Sequence, residues 1–278
     1  MKPNRIDIIG SKGFIGKAIV NYPSKLIISE WSHLEKNSNN YFDLFDQNSW
    51  SRLLDSSPKT VIFLSWPGLP NYDDKKHLTK NVPAIISLVE KLASAGIKRI
   101  VFAGTCYEYG KISGSLKEEM STNPINNYAI AKDTLRKYIS NFLKNNSVEW
   151  GWLRIFYTYG ENQNPNSLYP SLIASIKDDK KFFNLSSGKQ IRDFIPVEEV
   201  AKHFLILATH PNIQGIYNSG CGSPSSILEF VEKIKNKYSS SINIKRYFYK
   251  DRDDEPLAFW ANTEKLENLI NSYPFLLK

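Results

Sequence analysis

Ile6-Asp7-Ile8-Ile9-Gly10-Ser11-Lys12-Gly13-Phe14-Ile15-Gly16 is a β-rich run that ends in glycines spaced Gly-x-x-Gly-x-x-Gly. Glycine lets a chain turn tightly as it leaves a strand and lets its backbone come close to a bound group. A helix that opens at such a turn adds free N–H groups and the positive end of its dipole. The expected context is present, a strand before and a helix after, read over Lys17 to Asn21. Gly10, Ser11, Lys12, Gly13, Phe14, Ile15 and Gly16 are therefore candidates to cradle a diphosphate. The alternative reading is a plain strand-to-helix turn.

If the cradle holds a dinucleotide, the next strand should read its adenosine ribose. Leu26-Ile27-Ile28 makes that strand, and Ser29 to His33 the loop after it. Two readings stay open. Glu30 would accept a hydrogen bond from a ribose 2′-hydroxyl, as NAD requires, whereas Ser29, Ser32 and Lys12 would hold the 2′-phosphate of NADP. The serines and the basic balance of the chain favour NADP(H), with NAD(H) as the other choice. Asp43, after a short strand Tyr41-Phe42, would touch the adenine or remain a turn carboxylate. Val61-Ile62-Phe63-Leu64 is a fully apolar strand whose end brings Leu64 and Ser65 to the cofactor. It runs into Trp66-Pro67-Gly68-Leu69-Pro70, where Trp66 would wall a ligand pocket or pack.

Further along, Thr79 to Ala95 reads as a helix, Arg99 to Ala103 as a strand, Asn126 to Lys144 as a helix and Trp150 to Phe156 as a strand. Strands alternating with helices imply parallel crossovers and a doubly wound α/β sheet over residues 1–156. From Tyr157 the regularity loosens into a smaller α/β lobe, 157–278, with some chain crossing back. Its elements are helices Leu168 to Lys177, after Pro196 through Ala208, and Ser226 to Lys237, with a short strand Ile216-Tyr217-Asn218.

Chemistry concentrates at Tyr128 and Lys132, four residues apart and so on one face of a helix. An ammonium beside a phenol favours phenolate, and this should bring the tyrosine's pKa down toward the range where acid–base catalysis works. The same spacing occurs at Tyr72/Lys76 and Tyr107/Lys111, but only Tyr128 opens a stretch without Gly or Pro, through Leu143. Upstream, Arg99-Ile100-Val101-Phe102-Ala103-Gly104-Thr105 delivers a hydroxyl at a strand's carboxyl end, where open α/β sheets bind ligands.

The 278 residues carry a net charge of +8, yet the lysines are scattered and not interleaved with aromatics on one face. That pattern speaks against nucleic acid. Two cysteines make no disulfide framework, no run of 18 apolar residues suggests a membrane span, and no metal-ligand cluster is apparent. The amino terminus leads straight into a strand, so a cytoplasmic chain is expected.

Taken in order, these stretches resemble the extended short-chain dehydrogenase/reductase family, the nucleotide-sugar epimerases, dehydratases and reductases. The resemblance rests on the glycine triplet, Val61 to Leu64, Asn81, Gly104-Thr105 with Tyr109-Gly110, and Tyr128-x-x-x-Lys132. It continues through Leu153 to Gly160, Arg192-Asp193-Phe194-Ile195 and Tyr217 to Gly220. It implies a Rossmann fold with a substrate lobe, a homodimer, and a catalytic set of Thr105, Tyr128 and Lys132, with Lys132 also on the nicotinamide ribose. Arg192, in place of a mere surface ion pair with Asp193, would grip the substrate diphosphate, Arg252 would be a second phosphate contact, and Trp66, Tyr107 and Tyr157 would line the sugar site.

Departures from the family narrow the reaction. The 4,6-dehydratases carry Asp-Glu after the threonine, where this chain has Cys106-Tyr107, and alternation would point Glu108 to the opposite side. Cys106 would be a second acid or, better supported, a small buried residue. The implied activity is reduction of a nucleotide-linked 4-keto-6-deoxyhexose for surface polysaccharide such as O-antigen or capsule. A 4-epimerase is the alternative, and a non-catalytic NADP-sensing regulator a third.

Overall fold

The computed structural model describes residues 5–34, 36–251 and 256–272. The first strands are β1 (Arg5–Ile9), β2 (Ile27–Trp31), β3 (Thr60–Phe63), β4 (Arg99–Thr105), β5 (Gly114–Leu116), β6 (Glu149–Ile155) and β7 (Tyr157–Tyr159). They are followed by β8 (Phe182–Asn184), β9 (Ile191–Arg192), β10 (Phe194–Pro196), β11 (Gln214–Ser219), β12 (Ser225–Ser226), β13 (Asn243–Lys245) and β14 (Phe259–Ala261). The helices are α1 (Phe14–Val20), α2 (Gln47–Asp55), α3 (Val82–Ser94), α4 (Asn127–Asn145), α5 (Leu168–Lys177), α6 (Val197–Thr209), α7 (Ile227–Lys237) and α8 (Glu264–Ser272).

Six strands form one parallel sheet in the order β11-β6-β4-β3-β1-β2. Its strands are apolar on both faces because both faces are covered. In β1, Ile9 joins the core under α2, α3 and α4, while Ile8 points into the core under α1, α6 and α8. This is the expected Rossmann architecture. The expected strand Tyr41-Phe42 shrinks to one parallel bridge, Ser32 to Tyr41, beyond the β2 edge.

The helix after the glycine loop begins at Phe14, so Gly16 lies inside its first turn and not before it. Strand β2 likewise runs through Trp31, which places Ser29 and Glu30 within the strand. Trp31 sets this register: its indole donates to the buried Asp7 at 2.9 Å, and its carbonyl accepts from the N–H of Gly10 at 2.9 Å. The helix expected from Thr79 opens instead with a π turn, His77–Asn81.

After Phe156 the chain builds a lobe of two-stranded pieces around an apolar cluster that includes Leu172, Phe183, Phe230 and Val231. It also returns to the first domain, since α6 packs on α1's side of the sheet and β11 becomes the sixth strand beside β6. The Asp193 carboxylate accepts from the N–H groups of Cys221, Gly222 and Ala261, at 2.7, 3.0 and 3.1 Å. Burial raises its pKa and these bonds oppose that rise. The carboxylate thus serves the backbone, and the alternative of a surface ion pair with Arg192 does not hold. No helix among the described residues is long and apolar enough to cross a membrane.

Candidate active site

Asn126 caps α4, its side chain accepting the N–H of Ala129 at 2.8 Å, and this starts the helix at the residue before Tyr128. Thr105 ends β4, and its hydroxyl oxygen accepts from the N–H of Tyr107 at 3.3 Å, leaving its O–H to donate. It lies near enough to the Tyr128 phenol to lower that group's pKa. Lys132, one turn beyond Tyr128, donates to the Ala103 carbonyl at 2.7 Å, with its ammonium 3.8 Å from the centroid of Trp66. Sheet and helix therefore bring the expected trio together.

The electrostatics differ from the sequence expectation. Burial pushes the Tyr128 phenol up, aided by Tyr72, Glu108 and Cys106, and the neighbouring Thr105 hydroxyl opposes this. Burial also lowers Lys132 to about 7, with Glu108 holding it up. Burial outweighs the Lys132 ammonium, which stands 5.8 Å from the Tyr128 ring centroid and is also engaged by the Ala103 carbonyl and the face of Trp66. The result is a phenol that keeps its proton at neutral pH and gives it up only if a positive charge beside it stabilises the phenolate.

Glu108 corrects a second expectation. Alternation does not apply to it, because Cys106–Tyr109 is a 3₁₀ turn that folds Glu108 back beneath Thr105. Its Oε1 accepts from Thr105 N–H and the Trp152 indole at 2.9 and 2.8 Å, and its Oε2 from Arg154 Nε at 2.8 Å. Arg136 lies 3.5 Å from the same carboxylate. Cys106 packs with Tyr109, Leu116 and Phe156, as the buried-residue reading has it.

The glycine loop packs backbone on backbone, and only glycine fits at its two ends. A Cβ on Gly10 would lie 2.9 Å from Ser65 N, and one on Gly16 2.3 Å from the Gly10 carbonyl. Gly10, whose φ is +92°, therefore seats β1's end against the Leu64-Ser65 strand end. Ser11 is buried with its hydroxyl toward the Trp31 carbonyl at 3.4 Å, and Gly13 caps α1, which begins with Phe14 and Ile15. These features fit a dinucleotide. At the ribose end Lys12 and Glu30 form an ion pair at 2.9 Å, Ser32 accepts from the N–H of Leu34 at 3.3 Å, and Ser29 lies mid-strand. The Asp43 carboxylate accepts from the N–H of Phe45 at 2.9 Å, the turn role among its two readings.

On the substrate side, Trp66 meets Tyr128 edge-on at 5.8 Å, and Tyr72 meets Tyr128 at 5.5 Å and Tyr107 at 5.6 Å. The hydroxyls of Tyr107 and Tyr157 are 3.4 Å apart. Arg192 is buried, its guanidinium 4.7 Å from the Phe259 centroid and 5.3 Å from that of Tyr157, and it donates to the carbonyls of Ile191 and Leu257. Arg252 lies outside the described residues. Sequence reasoning missed Tyr72 and His77, whose ring is 5.6 Å from Tyr128. Only the irregular prolines and glycine of the 66–70 loop hinted that it folds onto the site.

A doubly wound sheet with a glycine cradle, and a hydroxyl, a tyrosine and a lysine converging at its carboxyl edge, define a pyridine-nucleotide oxidoreductase fold of the short-chain dehydrogenase/reductase type. The chain belongs to the NAD dependent epimerase/dehydratase family, whose model matches residues 6–220. It is similar to dTDP-6-deoxy-L-talose 4-dehydrogenase (NAD(+)) of Aggregatibacter actinomycetemcomitans, at 27% identity over 92% of this chain and 98% of that one. It is also similar to dTDP-4-dehydro-6-deoxyglucose reductase of Escherichia coli, at 26% identity over 85% and 82%. In fold it resembles UDP-N-acetylglucosamine 4-epimerase of Methanobrevibacter ruminantium M1, with a TM-score of 0.81, 24% identity, and coverage of 97% of this chain and 92% of that one. Solved structures of like fold hold NAD in some cases and NADPH in another.

Proposed function

We propose that the protein reduces the 4-keto group of a nucleotide-linked 4-keto-6-deoxyhexose, yielding a deoxyhexose for surface polysaccharide. The observation that carries this reading is the gathering of Thr105, Tyr128 and Lys132 at the sheet's carboxyl edge, with the Lys132 ammonium 5.8 Å from the Tyr128 ring centroid and the Glu108 carboxylate engaged by Arg154. Cys106 and Tyr107 stand where dehydratases carry their acid pair, and Glu108 is bound to Arg154. A bound nicotinamide supplies the hydride. Tyr128, held protonated, gives its proton to the ketone oxygen, while Thr105 donates to the same oxygen and fixes it. Lys132, with a pKa near neutrality, carries the positive charge that faces the phenolate left behind. Two relatives named for redox chemistry at C4 of dTDP-6-deoxyhexoses add support.

Residues 10–16 with Leu64 and Ser65 would hold the cofactor. The Lys12–Glu30 pair supports NAD(H) over the NADP(H) favoured from sequence, since a 2′-phosphate would have to win Lys12 from a carboxylate that would itself repel it. Tyr107, Tyr157 and Trp66 would surround the sugar, with Arg192 behind Tyr157. A dimer through α3 and α4 is consistent with the stacked Tyr138 and Phe142 on the outer side of α4.

The 4-epimerase reading uses the same trio and retains its cofactor; Glu30, suited to a tightly held NAD, favours it. Intact Thr105, Tyr128 and Lys132 speak against a non-catalytic sensor. Given a dTDP- or UDP-linked 4-keto-6-deoxyhexose and reduced cofactor deuterated at C4, a reductase consumes cofactor stoichiometrically and leaves deuterium at C4 of the product. Interconversion of UDP-glucose and UDP-galactose without net cofactor oxidation would establish the epimerase instead.

A further inference from the structure

We propose that His77 is a positioning residue for this site: it holds the Trp66 indole by its N–H, so that the indole's face seats the Lys132 ammonium. The proposal rests on the reading that Lys132 serves catalysis. It concerns residues that lie outside the expected trio.

His77 is fully buried, and the Trp66 Nε1 stands 3.2 Å from its Nδ1. An indole N–H can only donate, so Nδ1 is the acceptor and the ring proton sits on Nε2. That proton is donated to the Asn71 carbonyl at 2.7 Å. One neutral imidazole thus grips both ends of the 66–71 loop. The loop backbone lies directly on the ring as well, since a Cβ on Gly68, where φ is +104°, would fall 2.9 Å from His77 Cε1. No L side chain suits that position on either count.

The π turn explains how His77 reaches the loop together with a second anchor. It carries both His77 and Asn81, and Asn81 Nδ2 donates to the Pro67 carbonyl at 2.8 Å. From the far side, the N–H of Tyr128 donates to the Tyr72 carbonyl at 2.8 Å and Asn127 Nδ2 to that of Asp73 at 2.7 Å. The loop is held between the π turn and the start of α4, and Trp66 is its inner face. A buried ammonium needs compensation, and an aromatic face at 3.8 Å supplies part of it alongside the Ala103 carbonyl. An indole released from His77 could rotate away and leave Lys132 free to shift. Displacements of about 1 Å at such a site cost roughly 100-fold in rate.

The test combines an indole signal with kinetics. The ¹⁵N-labelled Trp66 N–H resonance, assigned by its loss in Trp66→Phe, should lie downfield and exchange slowly with solvent. His77→Phe should abolish both features. His77→Gln, whose amide can accept and donate in the same two directions, should restore them. At saturating reduced cofactor and 4-keto-6-deoxyhexose nucleotide, His77→Phe should lower kcat about tenfold or more with KM changed less than about threefold, and His77→Gln should recover most of the loss. A solvent-exchanging Trp66 N–H in the wild type, or wild-type kcat in His77→Phe, overturns the proposal. Should His77→Phe fail to fold, Trp66→Phe keeps a smaller aromatic face and deletes the N–H together with the pyrrole ring; unchanged kcat there overturns the proposal equally, and a loss supports it only if His77→Gln retains kcat and the protected Trp66 N–H, an exposed N–H or lost kcat in His77→Gln overturning it. If the wild type reduces no nucleotide sugar, the ketoreductase reading falls, while the indole resonance still decides the role of His77.

Discussion

Glu108 Oε1 accepts the backbone N–H of Thr105 at 2.9 Å, so the residue presenting the hydroxyl is fixed by a carboxylate three positions further along the chain. The same carboxylate binds the Trp152 indole and Arg154, side chains of β6, the neighbouring strand. Gly104 makes this approach possible, because a Cβ there would lie 2.1 Å from Trp152 Nε1. The end of β4 is therefore welded to β6 through one buried acid.

Glu108→Gln should be strongly destabilising. The amide keeps an acceptor for Thr105 but removes the negative charge from between Arg154, whose side chain is 1% exposed, and Arg136. Stranding a buried cation in this way costs about 3–5 kcal/mol. Urea unfolding followed by fluorescence should show the midpoint fall accordingly, with kcat reduced in the fraction that folds. An unchanged midpoint would mean that Arg154 does not depend on Glu108.

The ion pair between Lys12 and Glu30 should govern cofactor choice. Wild-type protein should bind NADH more tightly than NADPH. In Glu30→Ser, Lys12 is released to meet a 2′-phosphate, and the order should reverse with roughly a tenfold gain for NADPH, the worth of one charge-assisted bond. Titration of cofactor fluorescence reads both constants. Tighter NADPH binding by the wild type would mean that Lys12 leaves Glu30 when the cofactor enters.

Acid sensitivity should centre on His203. Burial lowers its pKa to about 4, and its Nδ1 lies 2.9 Å from the Ser219 hydroxyl at the end of β11. The unfolded chain binds this proton near pH 6.5 and the folded chain only near 4, so unfolding takes up a proton between those values. Stability from this group is complete above about pH 6.5 and declines as pH falls, by roughly 3 kcal/mol at pH 4. His203→Phe should flatten that part of the stability profile, measured by denaturant midpoints from pH 4 to 7.

Much of this was legible in the sequence because the signals are local. The glycine triplet, the apolar strands and the Tyr128-x-x-x-Lys132 spacing each report short-range geometry, and together they fix the sheet and the trio. The misreadings involve tertiary partners. Nothing local shows that Trp31 reaches Asp7 and prolongs β2 past Glu30, or that Glu108 folds back to meet Arg154 from another strand. His77 was invisible for the same reason, since its two partners matter only once the 66–71 loop closes over it. The direction of the Tyr128 shift was likewise missed, because burial of the phenol outweighs the lysine ammonium 5.8 Å from its ring.

Lys132 provides the last expectation, in both activity and stability. Its pKa is lowered to about 7 by burial, from 10.5. Proton transfer from Tyr128 creates a phenolate, which the ammonium stabilises and the neutral amine does not. Ketone reduction should therefore be fastest below about pH 7 and fall as pH rises through it, on a one-proton curve. Tyr128→Phe should lower turnover by roughly 100-fold or more at every pH while leaving NADH binding nearly unchanged. Lys132→Met should abolish the pH step as well as reduce the rate. The same group works on stability with the opposite sense of pH. Between about 7 and 10.5 the unfolded chain holds a proton that the folded chain lacks, so this contribution to stability rises with pH across that window. Lys132→Met, apolar and of similar length, should be more stable than the wild type near pH 7 and lose that slope. A wild-type rate that climbs through pH 7 during reduction, together with a flat stability profile above it, would show that the lysine keeps its proton and that the phenolate is stabilised by another group.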